Sequence, residues 1–178
     1  TDNRQLVACR NHNLELPFSL EVLWNMKRKL QVFISSTYMD LTEERQSAVQ
    51  AILDAGHIPA GMELFSAGDA TQWDVIKRWI DESDVFLLLL GGRYGSIEIE
   101  SQKSYVELEY RYAVETGKRL FAIVLDDSLI IQKAVKYGAS AMEQSDPRWK
   151  EFRTLVTGKL CSFAKDAKDL WIAIMKSL

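Results

Sequence analysis

The sequence has few of the residues that build metal sites, disulfide scaffolds and nucleophilic triads. Its 178 residues include two cysteines, Cys9 and Cys161, and two histidines, His12 and His57. Two cysteines do not make the dense disulfide framework of a small secreted domain. A clustered zinc site needs more histidine and cysteine ligands than this. We therefore expect no metal, and a Ser-His-Asp or Cys-His arrangement would have to use one of the two histidines.

Long apolar runs, excess positive charge and Walker-type loops are also missing. The longest strongly apolar run, residues 85–90, is much shorter than the roughly 20 residues of a membrane-spanning helix. Lys and Arg number 22 against 25 Asp and Glu, a net charge of −3, which disfavours a dedicated nucleic-acid-binding domain. With few cysteines and no recognisable secretory signal, the sequence predicts a cytoplasmic protein that binds neither nucleic acid nor membrane.

We divide the chain at residue 26. Residues 1–25 carry no clear hydrophobic period and precede the basic run that begins at Met26. They are either a vector-derived or upstream extension or a native appended element. Residues 26–178 are predicted to form a single α/β domain, because 47% apolar residues and this length suit one full core.

From residue 30, short apolar runs alternate with helical patterns. Strands are predicted at 30–35, 57–64, 85–90, 120–125 and 159–164, and helices at 41–55, 71–81, 104–116, 127–137, 147–157 and 167–178. Asp40 and Glu43 form a predicted capping box before the first helix. The alternation predicts a flavodoxin-like, doubly wound parallel sheet of five strands in the order 2-1-3-4-5.

In such sheets ligands bind beyond the carboxyl ends of the strands, where the strand order reverses. That rule selects residues 35–38, 63–69 and 91–96, together with Asp126. Hydroxyls and free backbone N–H groups at Ser35, Ser36, Thr37 and Tyr38 suit a phosphate, although Ser and Thr before a helix also serve as caps and turns. Gly91 and Gly92 allow close backbone approach to a ligand.

Basic and aromatic side chains complete the predicted ligand-binding set. Arg45 either reaches a phosphate at the cleft, or snorkels toward solvent or pairs with a neighbouring acid. Trp73 and Tyr94 either stack on a flat ring of a ligand or belong to the core. Arg93, in the glycine-rich loop, and Tyr105, at the start of a helix, are assigned to the same set.

A helical wheel of residues 104–116 places Glu109 inside the apolar arc, whereas Glu107, Arg111 and Glu115 form a predicted solvated ion-pair ladder. A carboxylate in an apolar arc is costly unless it is paired or faces a wet cleft. Glu109 is therefore either paired with an arginine such as Arg45 or Arg93, or a cleft carboxylate with tuned acidity.

Three segments carry a family resemblance: VFISSTYMDLTEER at 32–45, DVFLLLLGGRYGS at 84–96 and SYVELEYRYAVETGKRLFAIVL at 104–125. They resemble a mainly bacterial domain family in the Toll/interleukin-1 receptor (TIR)-like group, near the nucleoside 2-deoxyribosyltransferases. The resemblance is good over residues 30–125 and poor over 126–178. Such domains often precede signalling ATPases in larger chains, several of them tied to antiphage defence.

The resemblance implies that Glu109 is a catalytic glutamate acting at the sugar C1 of an N-glycosidic bond. It further implies that residues 35–38 contact phosphate or ribose, and that NAD is a substrate rather than a bound cofactor. Three functions stay open: NAD hydrolysis in bacterial defence or signalling, a catalytically silent module for assembly, sensing or partner binding, and a nucleoside or nucleotide base hydrolase or deoxyribosyltransferase. The expected partners are a nucleotide, a second copy of the chain, or a fused or separate signalling ATPase.

Overall fold

The computed structural model describes residues 28–61, 71–138 and 142–178. The predicted extension at residues 1–25 and the predicted ligand-binding segment at 63–69 lie outside the described residues. The last part of the strand predicted at 57–64 lies outside them as well.

One sheet of five parallel strands, in the order β2-β1-β3-β4-β5, forms the centre of the domain. The strands are β1 (Gln31–Ser35), β2 (Ile58–Ala60), β3 (Val85–Leu90), β4 (Arg119–Leu125) and β5 (Ser162–Ala164). Every neighbouring pair is parallel, so the predicted fold and strand order are confirmed. The central strand β3 is buried along its whole length, as an apolar strand covered on both faces must be.

Six helices in the described part of the chain cover the sheet. They are α1 (Thr42–Asp54), α2 (Gln72–Glu82), α3 (Tyr105–Glu115), α4 (Asp127–Tyr137), α5 (Pro147–Thr157) and α6 (Ala167–Ser177). Right-handed crossovers place α1 and α2 on opposite faces, because β2 and β3 lie on opposite sides of β1. Accordingly α1 packs against α6, and α2 packs against α3. None of these helices is long and apolar enough to cross a bilayer.

Side-chain caps define the starts of most helices, but α1 begins differently from the prediction. Thr71, Ser104, Asp126, Asp146 and Asp166 each accept a backbone N–H of the helix that follows. The capping box predicted at Asp40 is wrong, because α1 begins after Leu41 without a side-chain cap. Asp40 is instead turned inward, 4% exposed, and accepts a hydrogen bond from the Thr37 hydroxyl at 2.6 Å.

Two lysine–glutamate pairs join α4 to the first turn of α1. Lys133 Nζ lies 2.8 Å from both carboxylate oxygens of Glu44, and the two side chains are 8% and 10% exposed. Lys136 Nζ lies 2.8 Å from Glu43, but these side chains are 60% and 61% exposed. The chain therefore contains a buried and an exposed ion pair between the same two helices.

Lys133→Ala is expected to lower the free energy of unfolding by about 3 kcal/mol, because it leaves the buried Glu44 carboxylate without its cation. The control, Lys136→Ala, removes the exposed pair and is expected to change the free energy of unfolding far less, because solvent screens exposed charges. Urea denaturation of both variants measures the difference. Equal, small losses would contradict a structural role for the buried pair.

Candidate functional site

A cavity of about 140 Å³ opens at the carboxyl edge of the sheet, between the loops that follow β1 and β3. The chain leaves these adjacent strands in opposite directions, so the cavity occupies the point where the strand order reverses. Three parts of the chain form its wall: Ser36–Met39 after β1, Arg93, Gly95 and Ser96 after β3, and Gln72, Tyr105, Val106 and Glu109 from α2 and α3.

Glu109 lies on the second turn of α3 and is 2% exposed. The Ser35 hydroxyl, at the end of β1, donates a hydrogen bond of 2.5 Å to Glu109 Oε2. The salt bridges between residues that the structure describes do not include Glu109. Glu109 itself lines the cavity, so the Ser35 hydroxyl contacts the carboxyl of a cavity-lining residue from within the protein.

The acidity of Glu109 is set mainly by its burial. Loss of contact with water raises the pKa of its carboxyl to about 7, while the Ser35 hydrogen bond and the positive charge of Arg45 lower that pKa to a smaller extent. A carboxyl with this pKa exchanges its proton near neutral pH. Such a group is suited to acid–base or charge-stabilising chemistry.

Arg45 supports the cavity from behind. Its guanidinium Nη1 donates to Ser36 Oγ at 2.8 Å and to the Ile34 carbonyl at 3.3 Å, and the residue is 4% exposed. The side chain borders a separate groove of about 420 Å³ beside α1, which shares Tyr38 with the cavity. Arg45 therefore lies behind the cavity wall, where it donates a hydrogen bond to the wall residue Ser36.

The predicted ligand-binding residues divide into two groups. Those at the cavity wall are Ser36, Thr37, Tyr38, Arg93 and Tyr105, and Ser35 contacts Glu109 directly. Those placed elsewhere are Arg45, Trp73, Gly91, Gly92 and Tyr94. The hydroxyl and guanidinium groups that suit a phosphate thus line the candidate cavity. Two of the predicted aromatic residues and both predicted glycines do not.

Tyr94 and Trp73 pack against other aromatic side chains and do not line the Glu109 cavity. Tyr94 is 2% exposed, its hydroxyl donates to Glu107 at 2.6 Å, and its ring packs edge-on against Phe152. Trp73 packs edge-on against Tyr112 and lines a neighbouring cavity of about 560 Å³. That larger cavity adjoins the Glu109 cavity, because Gln72 and Tyr105 border both.

Gly91 and Gly95 lock the loop after β3 against the loop after β1. A Cβ at Gly91 would lie 2.7 Å from Asp40 Oδ2, and a Cβ at Gly95 would lie 2.8 Å from Thr37 Cγ2. Gly95 also has a φ of +93°, which favours glycine. Close packing is therefore the physical reason for the glycines here, and Gly91 makes its contacts with Asp40 and Leu41.

Two glutamates have structural roles that the sequence pattern does not predict. Glu107 pairs with Arg111, as the predicted ion-pair ladder requires, but its predicted solvated position is wrong: it is 5% exposed, and the buried Tyr94 hydroxyl also donates to its carboxylate. Glu143, before α5, accepts N–H bonds from Tyr94 and Gly95 and pairs with Arg93. Both roles depend on contacts distant in sequence or on an irregular loop, which periodicity does not reveal.

Among the described residues, no group of three or more His, Cys, Asp or Glu side chains is arranged to hold a metal ion. The polar side chains at the cavity carry hydroxyls, one carboxamide, one carboxyl and one guanidinium. They suit a ribose or phosphate by hydrogen bonding and charge.

Glu109→Gln is expected to be more stable than the unsubstituted protein at pH 8 and similar to it at pH 5. The folded protein holds the Glu109 proton up to about pH 7, while the unfolded chain releases it near 4.5. The stabilisation that the folded protein gains by holding this proton is complete below the pKa of Glu109 in the unfolded chain. It is lost as pH rises through the pKa of Glu109 in the folded protein. Glutamine has no such proton to lose. Melting temperatures at both pH values test this, and a variant less stable at pH 8 would indicate an ion-paired glutamate.

Solved structures show which fold this is. The domain is similar to the TIR domains of the activated Roq1 resistosome that directly recognizes the pathogen effector XopQ, with a TM-score of 0.56, 14% identity, and coverage of 83% of this chain and 98% of that chain. It is also similar to a conserved protein from Enterococcus faecalis V583, with a TM-score of 0.51, 13% identity, and coverage of 85% and 100%. The likeness to the Roq1 domains shows a TIR-like fold.

Comparison at the sequence level gives the family. No curated protein matches the sequence. A family described as a domain of unknown function, DUF4062, matches residues 31–178, a range that runs from the start of β1 to beyond α6. The match includes residues 126–178, where the TIR-like resemblance in the sequence is poor. The chain therefore belongs to the DUF4062 family, with a TIR-like fold.

Proposed function

We propose that this domain cleaves the N-glycosidic bond of a nucleotide and passes the glycosyl group to water or to another acceptor. NAD is the lead substrate, and Glu109 is the catalytic carboxylate. One observation carries the proposal. A buried carboxyl with a pKa near neutrality lines a cavity at the strand-order reversal and is bonded by a hydroxyl. Ligands of open parallel sheets bind at this place.

The chemistry needs one carboxylate. As the bond between C1 and the nicotinamide nitrogen breaks, its electron pair passes to the pyridinium ring, which leaves as neutral nicotinamide. C1 acquires oxocarbenium character, and the Glu109 carboxylate either stabilises that charge or forms a transient bond to C1. Water then adds at C1 and releases a proton; where Glu109 has bonded to C1, that bond breaks in the same step and its electron pair returns to the carboxylate. The departing nicotinamide needs no protonation, so a second acid is not required.

The cavity wall offers partners for the rest of the nucleotide. Ser36, Thr37 and Arg93 supply hydroxyl and guanidinium donors for ribose or phosphate oxygens, and Tyr38 and Tyr105 supply aromatic surface. A space of about 140 Å³ holds one ring of a dinucleotide. The remainder would extend past Tyr105 into the neighbouring cavity of about 560 Å³.

A catalytically silent TIR-like module is the second candidate, and the small cavity favours it. Ligand pockets commonly have volumes of about 300–1,000 Å³, and Glu109 is only 2% exposed. Such a module would act by self-assembly, ligand sensing or contact with a fused or separate signalling ATPase. For either candidate we propose a cytoplasmic role in bacterial defence or signalling.

Incubation with NAD and a nucleoside panel, followed by chromatography of the products, tests the proposal. We expect nicotinamide release, and we expect Glu109→Gln to reduce its rate by about 100-fold or more, because glutamine cannot supply the negative charge. Glu107→Gln is the matched control. It changes a buried carboxylate on the same helix that faces Tyr94 and Arg111 instead of the cavity.

Each outcome of this assay has one interpretation. Full activity in Glu109→Gln would remove this residue from the mechanism. Base release from nucleosides without NAD cleavage would identify a base hydrolase or deoxyribosyltransferase. Absence of turnover with every substrate would support the silent module.

The pH dependence separates the two chemical roles that Glu109 can take. A charge-stabilising or nucleophilic carboxylate must be ionised, so the rate of NAD cleavage is expected to rise between pH 6 and 8 with an apparent pKa of about 7. Glu109→Gln should lose this dependence together with the activity. A rate that falls over the same range would assign Glu109 as a general acid.

A further inference from the structure

The Glu143 carboxylate occupies a ring of donors on the loop after β3. Its Oε2 accepts the backbone N–H groups of Tyr94 at 2.7 Å and Gly95 at 3.2 Å. Its Oε1 lies 3.0 Å from Arg93 Nη2. The backbone N–H of Glu143 donates to the Gly92 carbonyl at 2.7 Å, so the residue is anchored to the same loop through its main chain as well.

These donors have the geometry of an anion site. Two consecutive backbone N–H groups, with the second residue at a φ of +93°, form the kind of concave turn that binds anions. A guanidinium beside them offers charge-assisted hydrogen bonds of the type that phosphate oxygens accept. The donor set that holds two carboxylate oxygens of Glu143 is therefore also suited to two oxygens of a phosphate group.

The position of this site connects it to the Glu109 cavity. Arg93 and Gly95 line that cavity, so an anion bound at residues 93–95 would lie at its edge. Glu143 borders an open surface cavity on the other side, formed by residues near the start of α5, and its side chain is 31% exposed. Solvent and solutes therefore have access to the carboxylate from outside.

We propose that residues 93–95 form a phosphate-binding site, that the Glu143 carboxylate occupies it as an internal anion, and that a phosphate group of the substrate takes the place of this carboxylate. That the phosphate belongs to a nucleotide rests on the proposed function; the anion site itself does not. The two anions exclude each other, because a carboxylate and a phosphate within a few ångströms repel and compete for the same donors.

Charged side chains of both signs surround the site, and Arg93 is the cation in direct contact with the Glu143 carboxylate. Arg93 contributes a positive charge at the site, and the Arg148 guanidinium lies 5.3 Å from the centre of the Tyr94 ring. Arg148 is held there by Asp146 at 2.8 Å. Asp40 is close enough to Arg93 for their charges to interact, so it brings a further carboxyl near the site.

A purely structural role for Glu143 makes the opposite prediction. If the carboxylate only braces the loop, its loss would disorganise the donors at Tyr94 and Gly95, and anion binding would weaken. If the carboxylate competes with phosphate, its loss would strengthen anion binding. Glu143→Gln separates the two, because glutamine keeps an acceptor oxygen for the backbone N–H groups while it removes the negative charge.

Calorimetric titration with inorganic phosphate is the test. We expect Glu143→Gln to bind phosphate about 10-fold or more tightly than the unsubstituted protein, within the usual range of coupling between two ligands. Adding Arg93→Gln to that variant is expected to abolish the gain. Glu98→Gln is the matched control and should leave affinity unchanged. Glu98 accepts backbone N–H bonds from Glu100 and Ser101 in the same connection, and the salt bridges between described residues do not include it.

Backbone amide NMR of Glu143→Gln during the same titration locates the anion. We expect the Tyr94 and Gly95 amide signals to move with phosphate. Equal or weaker phosphate binding in Glu143→Gln, no binding, or shifts confined to other amides would overturn the proposal. Because the readout is binding rather than turnover, phosphate binding without cleavage of NAD or of any nucleoside in the panel would refute the proposed function alone. NAD cleavage without the gain in affinity would refute the anion site alone.

Discussion

The pairing of β1 with β3 is the constraint on which the candidate site depends. Because β1 runs beside β3 in parallel register, with Ser35 opposite Leu88, the chain segments after both strands emerge at the same edge of the sheet. The crossover through α3 then starts at that edge, and its second turn brings Glu109 within hydrogen-bond distance of Ser35. A strand inserted between β1 and β3 would separate all of these groups.

Burial gives Glu109 both its chemical character and its cost. A buried carboxyl that accepts a hydrogen bond from one hydroxyl is destabilised in its ionised form, because burial outweighs the help of that bond and of the Arg45 charge. A structure that needed only stability would replace this residue with an apolar one, or place a cation against it as it does at Glu44. The cavity beside Glu109 is the feature that distinguishes the two glutamates.

The sequence predicted the elements set by local pattern and missed those set by distant contacts. The bounds of α4 and α5, the parallel order and the inward position of Glu109 follow from periodicity, caps and the alternation of strands and helices. Asp40 was assigned to a cap because its spacing to Glu43 fits one, but packing against Gly91 turned it inward. Glu143 carries no local signal, since its partners lie 48 and 49 residues away.

The close contacts of Gly91 with Asp40 and of Gly95 with Thr37 have a mechanical consequence. The Asp40 carboxyl and the Thr37 methyl group occupy the space that a Cβ at Gly91 or Gly95 would need, so the loops after β1 and β3 are closely packed against each other. Neither loop can shift far without displacing the other, because their atoms are already in close contact. A ligand that displaces one of these loops is therefore expected to displace the other.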